Sequence, residues 1–184
     1  MNKNLSDYIK VYNLLDAPTC ASVIADLQSK NWIKHKFYSV TGLVDNGSEP
    51  EECHEQVNLT PVLQQATWEA LRRYILEDIN FSWFPGWQGF SNLKFIKYNT
   101  DTEMTNHCDH IHSLYDGVHK GIPILTIIGV LNEDFEGGEL VMFEDQVIPL
   151  KQGDIVVFPS LFLYPHRVDK IKKGIRYSFV SWCN

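Results

Sequence analysis

The chain has 184 residues, 44% of them hydrophobic, which is enough apolar material for one globular domain (1–184) with no need of disulfide staples. Its formal net charge of -7 sets it against phosphate backbones and anionic lipid, so neither nucleic acid nor membrane is an expected partner. The four cysteines form no C-x-x-C pair, residues 1–10 lack the apolar stretch of a secretory leader, and the longest apolar run, 122–131, is too short to cross a bilayer. These features give the expectation of a reduced, cytoplasmic protein.

In chain order, residues 8–15 read as a short strand. Asp16 then caps a helix with Pro18 in its first turn, and Cys20, Val23, Ile24 and Leu27 mark its buried face. Residues 32–44 read as extended and 45–55, polar with Gly47 and Pro50, as a loop. A second helix begins at Thr60 with Pro61 in its first position, runs to about Asp78, and buries Leu63, Ala66, Ala70, Leu71, Tyr74 and Ile75. Residues 81–90 are an aromatic loop or edge; Trp83 and Trp87 are candidates to flank a substrate mouth, with core packing as the alternative. From Ser91 the pattern changes to short apolar or alternating runs: 93–98, 106–112, 124–131, 139–143, 146–150, 154–158, 163–168 and 175–182. The basic cluster Lys170, Lys172 and Lys173 reads as a solvated hairpin turn. Two helices followed by about eight strands is an α+β order, with 1–90 as helical support and edge strands and 91–184 closing as a barrel or sandwich.

His107 and Asp109 fall two apart in the second run, so strand alternation would project both to one face. His166 lies in the seventh run, 57 residues beyond Asp109 (166 minus 109). Two imidazoles and one carboxylate on one face of an ion are the ligand set of non-haem Fe(II) oxygenases, and they leave positions open for oxygen. Zinc is the competing metal for these ligand types. The His-x-Asp spacing alone is a weak signal; a surface pair would look the same. His110 and His112 have the opposite parity and are expected to face away.

The surrounding motifs give the triad its context. Tyr98 precedes His107 by nine residues. Gly137-Gly138-Glu139-Leu140-Val141-Met142-Phe143, Gly153-Asp154-Ile155-Val156-Val157-Phe158, His166-Arg167-Val168 and Gly174-Ile175-Arg176 through Trp182 follow in order. In these motifs the chain, from Leu93 onward, resembles the prolyl 4-hydroxylase branch of the Fe(II)/2-oxoglutarate oxygenases. It departs from that family's pattern at Asp101, where glycine is frequent, and at Val180, where some members carry threonine.

The resemblance implies a double-stranded β-helix (jelly-roll) barrel with supporting N-terminal helices. It implies a dioxygenase that hydroxylates a prime substrate, with peptidyl proline as the expected target, while 2-oxoglutarate is decarboxylated to succinate and CO2. Fe(II) would sit on His107, Asp109 and His166, with O2 as oxidant and ascorbate as a candidate reductant. Arg176 would pair with the distal carboxylate of 2-oxoglutarate, since a guanidinium offers it a planar fork. Tyr98 and Thr126 are further candidates for that pocket. A free amino acid or other small molecule is the alternative substrate. A non-catalytic jelly-roll binding module and a zinc-dependent cupin-like hydrolase are the readings from other classes. Substrate choice is expected to lie in loops such as 45–55 and 115–121.

Overall fold

A computed structural model describes residues 3–39, 42–44, 47–83, 86, 89–109, 115–116 and 120–183. Two sheets carry the fold. Their strands are β1 (Lys10–Asn13), β2 (Ile33–Lys34), β3 (Glu51–Cys53), β4 (Lys94–Tyr98), β5 (Met104–His107), β6 (Leu125–Val130), β7 (Leu140–Met142), β8 (Gln146–Ile148), β9 (Asp154–Pro159), β10 (His166–Val168) and β11 (Arg176–Cys183). The larger sheet runs β1-β9-β6-β11-β4-β3-β2 and the smaller β8-β7-β10-β5, with every pairing antiparallel. This is the double-stranded β-helix, supported by helices α1 (Ala17–Leu27) and α2 (Thr60–Arg73).

The helices form where the sequence predicts. Asp16 caps α1 by accepting the Thr19 N–H at 2.8 Å, with proline in the first turn. Cys20, Val23 and Leu27 form its buried stripe, while Ile24 packs at the edge. On α2 the stripe includes Thr67, whose hydroxyl is satisfied by the Leu63 carbonyl at 2.9 Å. Beyond Arg73 the helix widens into a π turn, Tyr74–Ile79, closed by Asn80 in the left-handed conformation.

Both faces of the inner strands of the larger sheet, β9, β6, β11 and β4, are largely buried. Leu125, Ile127, Ile155, Val157, Tyr177 and Phe179 pack under α1 and α2, whereas Ile96, Tyr98, Val156 and Phe158 point between the two sheets onto Met104, Leu140, Met142 and Val168. Strand alternation thus sorts every second residue into a helix-facing core or into the barrel. Each fully buried Leu, Ile or Phe contributes about 1.5–3 kcal/mol. Among the described residues no helix is long and apolar enough to cross a membrane.

Several expectations change. The 8–15 run divides into a 3-10 turn, Leu5–Tyr8, and β1. Residues 51–53, expected in a loop, form β3, which adds to the edge of β4 through Glu51–Lys97 and Glu52–Lys94 ion pairs. The lysine-rich turn is partly a strand, Ile171–Lys173, paired with Glu136–Gly137 before the turn at Gly174. Asp101, standing where the resembled family favours glycine, has φ +68°, the conformation that glycine adopts at least cost.

Gly129 of β6 lies opposite Phe179 of β11, whose ring covers it; a β-carbon at Gly129 would collide with that ring. Because Phe179 is sealed in the core, Gly129→Ala is expected to destabilise the protein by about 2 kcal/mol. Thermal unfolding followed by circular dichroism should show a melting point lower by about 6 °C.

Candidate metal and cosubstrate site

Cross-strand register brings the distant residues together. His166 on β10 is the pairing partner of His107 on β5, which sets their ring centroids 4.4 Å apart. Asp109 completes a group whose ligand atoms all lie within 4.8 Å of one another. The expected strand 106–112 ends at His107, so alternation does not place Asp109. Instead the Thr126 hydroxyl on β6 donates to Asp109 Oδ2 at 2.7 Å. Thr126, expected beside the cosubstrate, therefore buttresses the carboxylate; its hydroxyl also lies 2.8 Å from that of Ser160. His110, His112 and Trp87 lie outside the described residues.

The two imidazoles are oriented alike. His107 Nδ1 lies 2.8 Å from the Thr105 carbonyl and His166 Nδ1 lies 3.2 Å from that of Tyr164. A carbonyl only accepts, so each Nδ1 carries hydrogen and each Nε2 of a neutral ring presents a lone pair. Those Nε2 atoms face Asp109 at 3.5 and 3.8 Å. Three electron-rich donors at this separation repel unless a cation sits among them. Donors about 2 Å from one ion are spaced little closer than this, so the residues fit a divalent metal. Burial opposes charge on all three. For Asp109 the two histidines and the Thr126 hydrogen bond outweigh it and hold the carboxyl well below its usual range. Burial opposes charge at His107 too, but Asp109 raises it, whereas burial prevails at His166 and lowers it.

A second polar centre lines the same cavity, which has a volume of about 220 Å³. Arg176 on β11 is 2% exposed. Its guanidinium lies 5.0 Å from the ring centroid of Tyr98, its pairing partner on β4, and donates from Nη1 to Ser178 Oγ at 3.1 Å. Burial pushes its pKa down, opposed by Tyr98 and by no carboxylate of the described residues. A fully buried cation lacking its own anion fits the carboxylate of a bound diacid. Burial also pushes the Tyr98 hydroxyl up to about 12, so it is a proton donor at neutral pH.

The rest of the cavity wall alternates as the strands do. Ser178, Val180 and Trp182 follow Arg176 along β11, and Ile96 and Lys94 follow Tyr98 along β4. His35 and Lys36 stand with Lys94 and Trp182 in this lining. Glu52 anchors that group, 2.7 Å from His35 Nδ1 and 3.2 Å from Lys94 Nζ, and it also bonds His54 at 3.0 Å. Trp182 and Lys94 were not singled out from sequence, although their two-residue spacing from Arg176 and Tyr98 is a usable signal. Trp83 is elsewhere: 74% exposed and stacked on Phe81, it lines an apolar groove with Tyr74, Ile124 and Leu161.

Comparison with known proteins agrees with this geometry. The 2OG-Fe(II) oxygenase superfamily profile matches residues 93–184. A PKHD-type hydroxylase of Idiomarina loihiensis is 27% identical over 183 residues, covering 95% of this chain and 76% of the relative. One of Thermosynechococcus vestitus is 34% identical over 96 residues, covering 49% of this chain but only 41% of the relative. A prolyl hydroxylase from Trichoplax adhaerens, solved in complex with a hypoxia inducible factor oxygen degradation domain peptide fragment, has a similar fold, with TM-score 0.72 and 16% identity over 97% of this chain and 84% of that one. A Pseudomonas putida prolyl-4-hydroxylase gives TM-score 0.63 and 20% identity over 96% and 92%.

Thr126→Val keeps the shape of the wall but removes the hydrogen bond to Asp109. It is expected to weaken divalent-metal affinity by roughly tenfold, measurable by Mn(II) titration with electron paramagnetic resonance. A second outcome concerns acid stability. Burial raises the Glu52 carboxyl, but His35, Lys94 and His54 outweigh it and bring it down to about 2 from 4.5. A depressed carboxylate stabilises the fold above its unfolded pKa and loses that contribution as pH falls through the folded one. Between pH ~6 and ~3, wild type should therefore lose about 2 kcal/mol more than Glu52→Gln in urea unfolding.

Proposed function

The chain belongs to the 2OG-Fe(II) oxygenase superfamily, and on that premise we propose that it is a prolyl 4-hydroxylase-like enzyme whose prime substrate is a peptidyl proline. One observation carries the reading: a single cavity holds two imidazole lone pairs converging on a carboxylate, together with a buried guanidinium with no carboxylate partner among the described residues. His107, Asp109 and His166 hold Fe(II), and Arg176 takes the distal carboxylate of 2-oxoglutarate. Bound Fe(II) supplies the oxygen chemistry, in which 2-oxoglutarate and O2 give succinate, CO2 and a hydroxylated product, with ascorbate as reductant.

The protein's own part is orientation and exclusion of water. The carbonyls of Thr105 and Tyr164 fix both imidazole tautomers, and Thr126 fixes the carboxylate. Tyr98 stacks beside the guanidinium, so its hydroxyl is a second candidate donor to the cosubstrate. The apolar side chains of Ile96, Met104, Ile128 and Val180 keep the passage dry. Hydroxylation is supported by the PKHD-type hydroxylase names of relatives, and proline as target by a fold shared with prolyl hydroxylases. A free amino acid or other small molecule is the alternative substrate, favoured by the modest cavity volume of about 220 Å³. In this reading the whole chain works as one unit, with residues 91–184 carrying the site.

Aerobic incubation with Fe(II), 2-oxoglutarate and proline-containing peptides, followed by mass spectrometry, should show succinate formation and a peptide one oxygen atom heavier. Anaerobic Fe(II) plus 2-oxoglutarate should develop a weak visible charge-transfer band that a chelator removes. His166→Ala should abolish both band and turnover; persistence of either would refute the assigned ligand set. Arg176→Gln should raise the half-saturating 2-oxoglutarate concentration by roughly 100-fold.

A further inference from the structure

The cavity of this acidic protein is lined by basic groups. Lys36, Lys94 and Arg176 all reach it, and among the described residues its only lining carboxylate is Asp109, already committed to the metal group. Arg176 is buried beside Tyr98 and Ser178 and belongs to the cosubstrate. That leaves Lys36 and Lys94, which stand with His35 and Trp182 in the lining.

Lys94 is held in place. Its ammonium lies 3.2 Å from Glu52 and 5.2 Å from the Trp182 ring centroid, and its side chain is 17% exposed. Glu52 shares its charge with His35 and His54 as well. Lys36 is exposed and makes no ion pair with a described residue. Among the described residues, two lysines against one glutamate leave this wall at +1 even with both histidines neutral, in a chain whose total is -7. A concave wall of one sign attracts ligands of the other, and an ordered ammonium beside an aromatic ring is suited to a fixed carboxylate.

We infer that Lys36 and Lys94 form a carboxylate-binding subsite for the prime substrate, so that the preferred substrate is an acidic peptide with an Asp or Glu side chain close to the target residue. This inference rests on the hydroxylase reading only for the identity of the target residue; the subsite itself rests on the lining charges. The same chemistry would accept the α-carboxylate of a free amino acid, and the test separates the two sources.

The experiment is fluorescence anisotropy on protein loaded with Mn(II) and 2-oxoglutarate, using labelled proline peptides with blocked termini. One set carries Asp or Glu beside proline and a matched set carries Asn or Gln. Wild type should bind the acidic set about tenfold more tightly. Lys36→Gln with Lys94→Gln should abolish the preference, Lys94→Arg should keep it, and Lys36→Glu with Lys94→Glu should reverse it toward lysine-flanked peptides. The ratio of affinities within one variant does not depend on how much folded protein the sample contains. Displacement by free amino acids but not by their amides would assign the subsite to an α-carboxylate. Equal binding of acidic and neutral peptides by wild type, with no displacement by free amino acids, would overturn the subsite. Tight acidic-peptide binding without hydroxylation would instead sink the proline reading and leave the subsite standing.

Discussion

A β-strand has two faces, and in the inner strands of the larger sheet of this protein both are largely buried. Nearly everything else depends on that constraint. One face must match the helices and the other must build a polar site inside a barrel, so neighbouring residues on one strand serve different ends. On β11, Tyr177 and Phe179 pack under α1 and α2, while Arg176 and Ser178 face the cavity. A slip of one residue would exchange the two sets, placing a guanidinium under the helices and a phenyl ring in the site. Having neighbours on both sides, β6 and β4, makes such a slip costly.

The same register assembles the chemistry. His107 and His166 meet because they are opposite one another on paired strands, as do Tyr98 and Arg176. Two contacts between residues far apart in sequence therefore need no special loops. Asp109 is the exception. It lies just past a strand end and relies on a hydroxyl from the opposite sheet for its position. The electrostatics of the cavity are correspondingly divided among an anionic group around Asp109, a buried cation at Arg176, and the lysines Lys36 and Lys94 in the same lining.

Much of this was legible in the sequence, for identifiable reasons. Seven of the eight C-terminal runs are found within a few residues because each alternates or is flanked by glycine and proline, whereas the 106–112 run stops as a strand at His107; the helices are found because Asp16, Pro18 and Pro61 mark their starts. What escaped depends on partners distant in the chain. β3 reads as a polar loop because two of its three residues are glutamates, and its stability comes from Lys94 and Lys97 more than 40 residues away. The direction of Thr126 is set by what stands opposite it, which no local pattern records. Trp83 resembled a mouth residue by composition alone, whereas Trp182, which does line the cavity, announces itself only through its parity with Arg176.

The Thr126 hydroxyl has one hydrogen and two neighbours. An ionised Asp109 can only accept, so that hydrogen is committed to the carboxylate. Ser160 must then turn its own hydrogen toward the Thr126 oxygen. The two alcohols thus form a chain of fixed polarity that runs inward from β9's end and terminates on the acid. Reversing either dipole would set two lone pairs against each other in a space where both side chains are sealed from water. Rotational freedom is thereby removed from the acid without placing any further charge beside it.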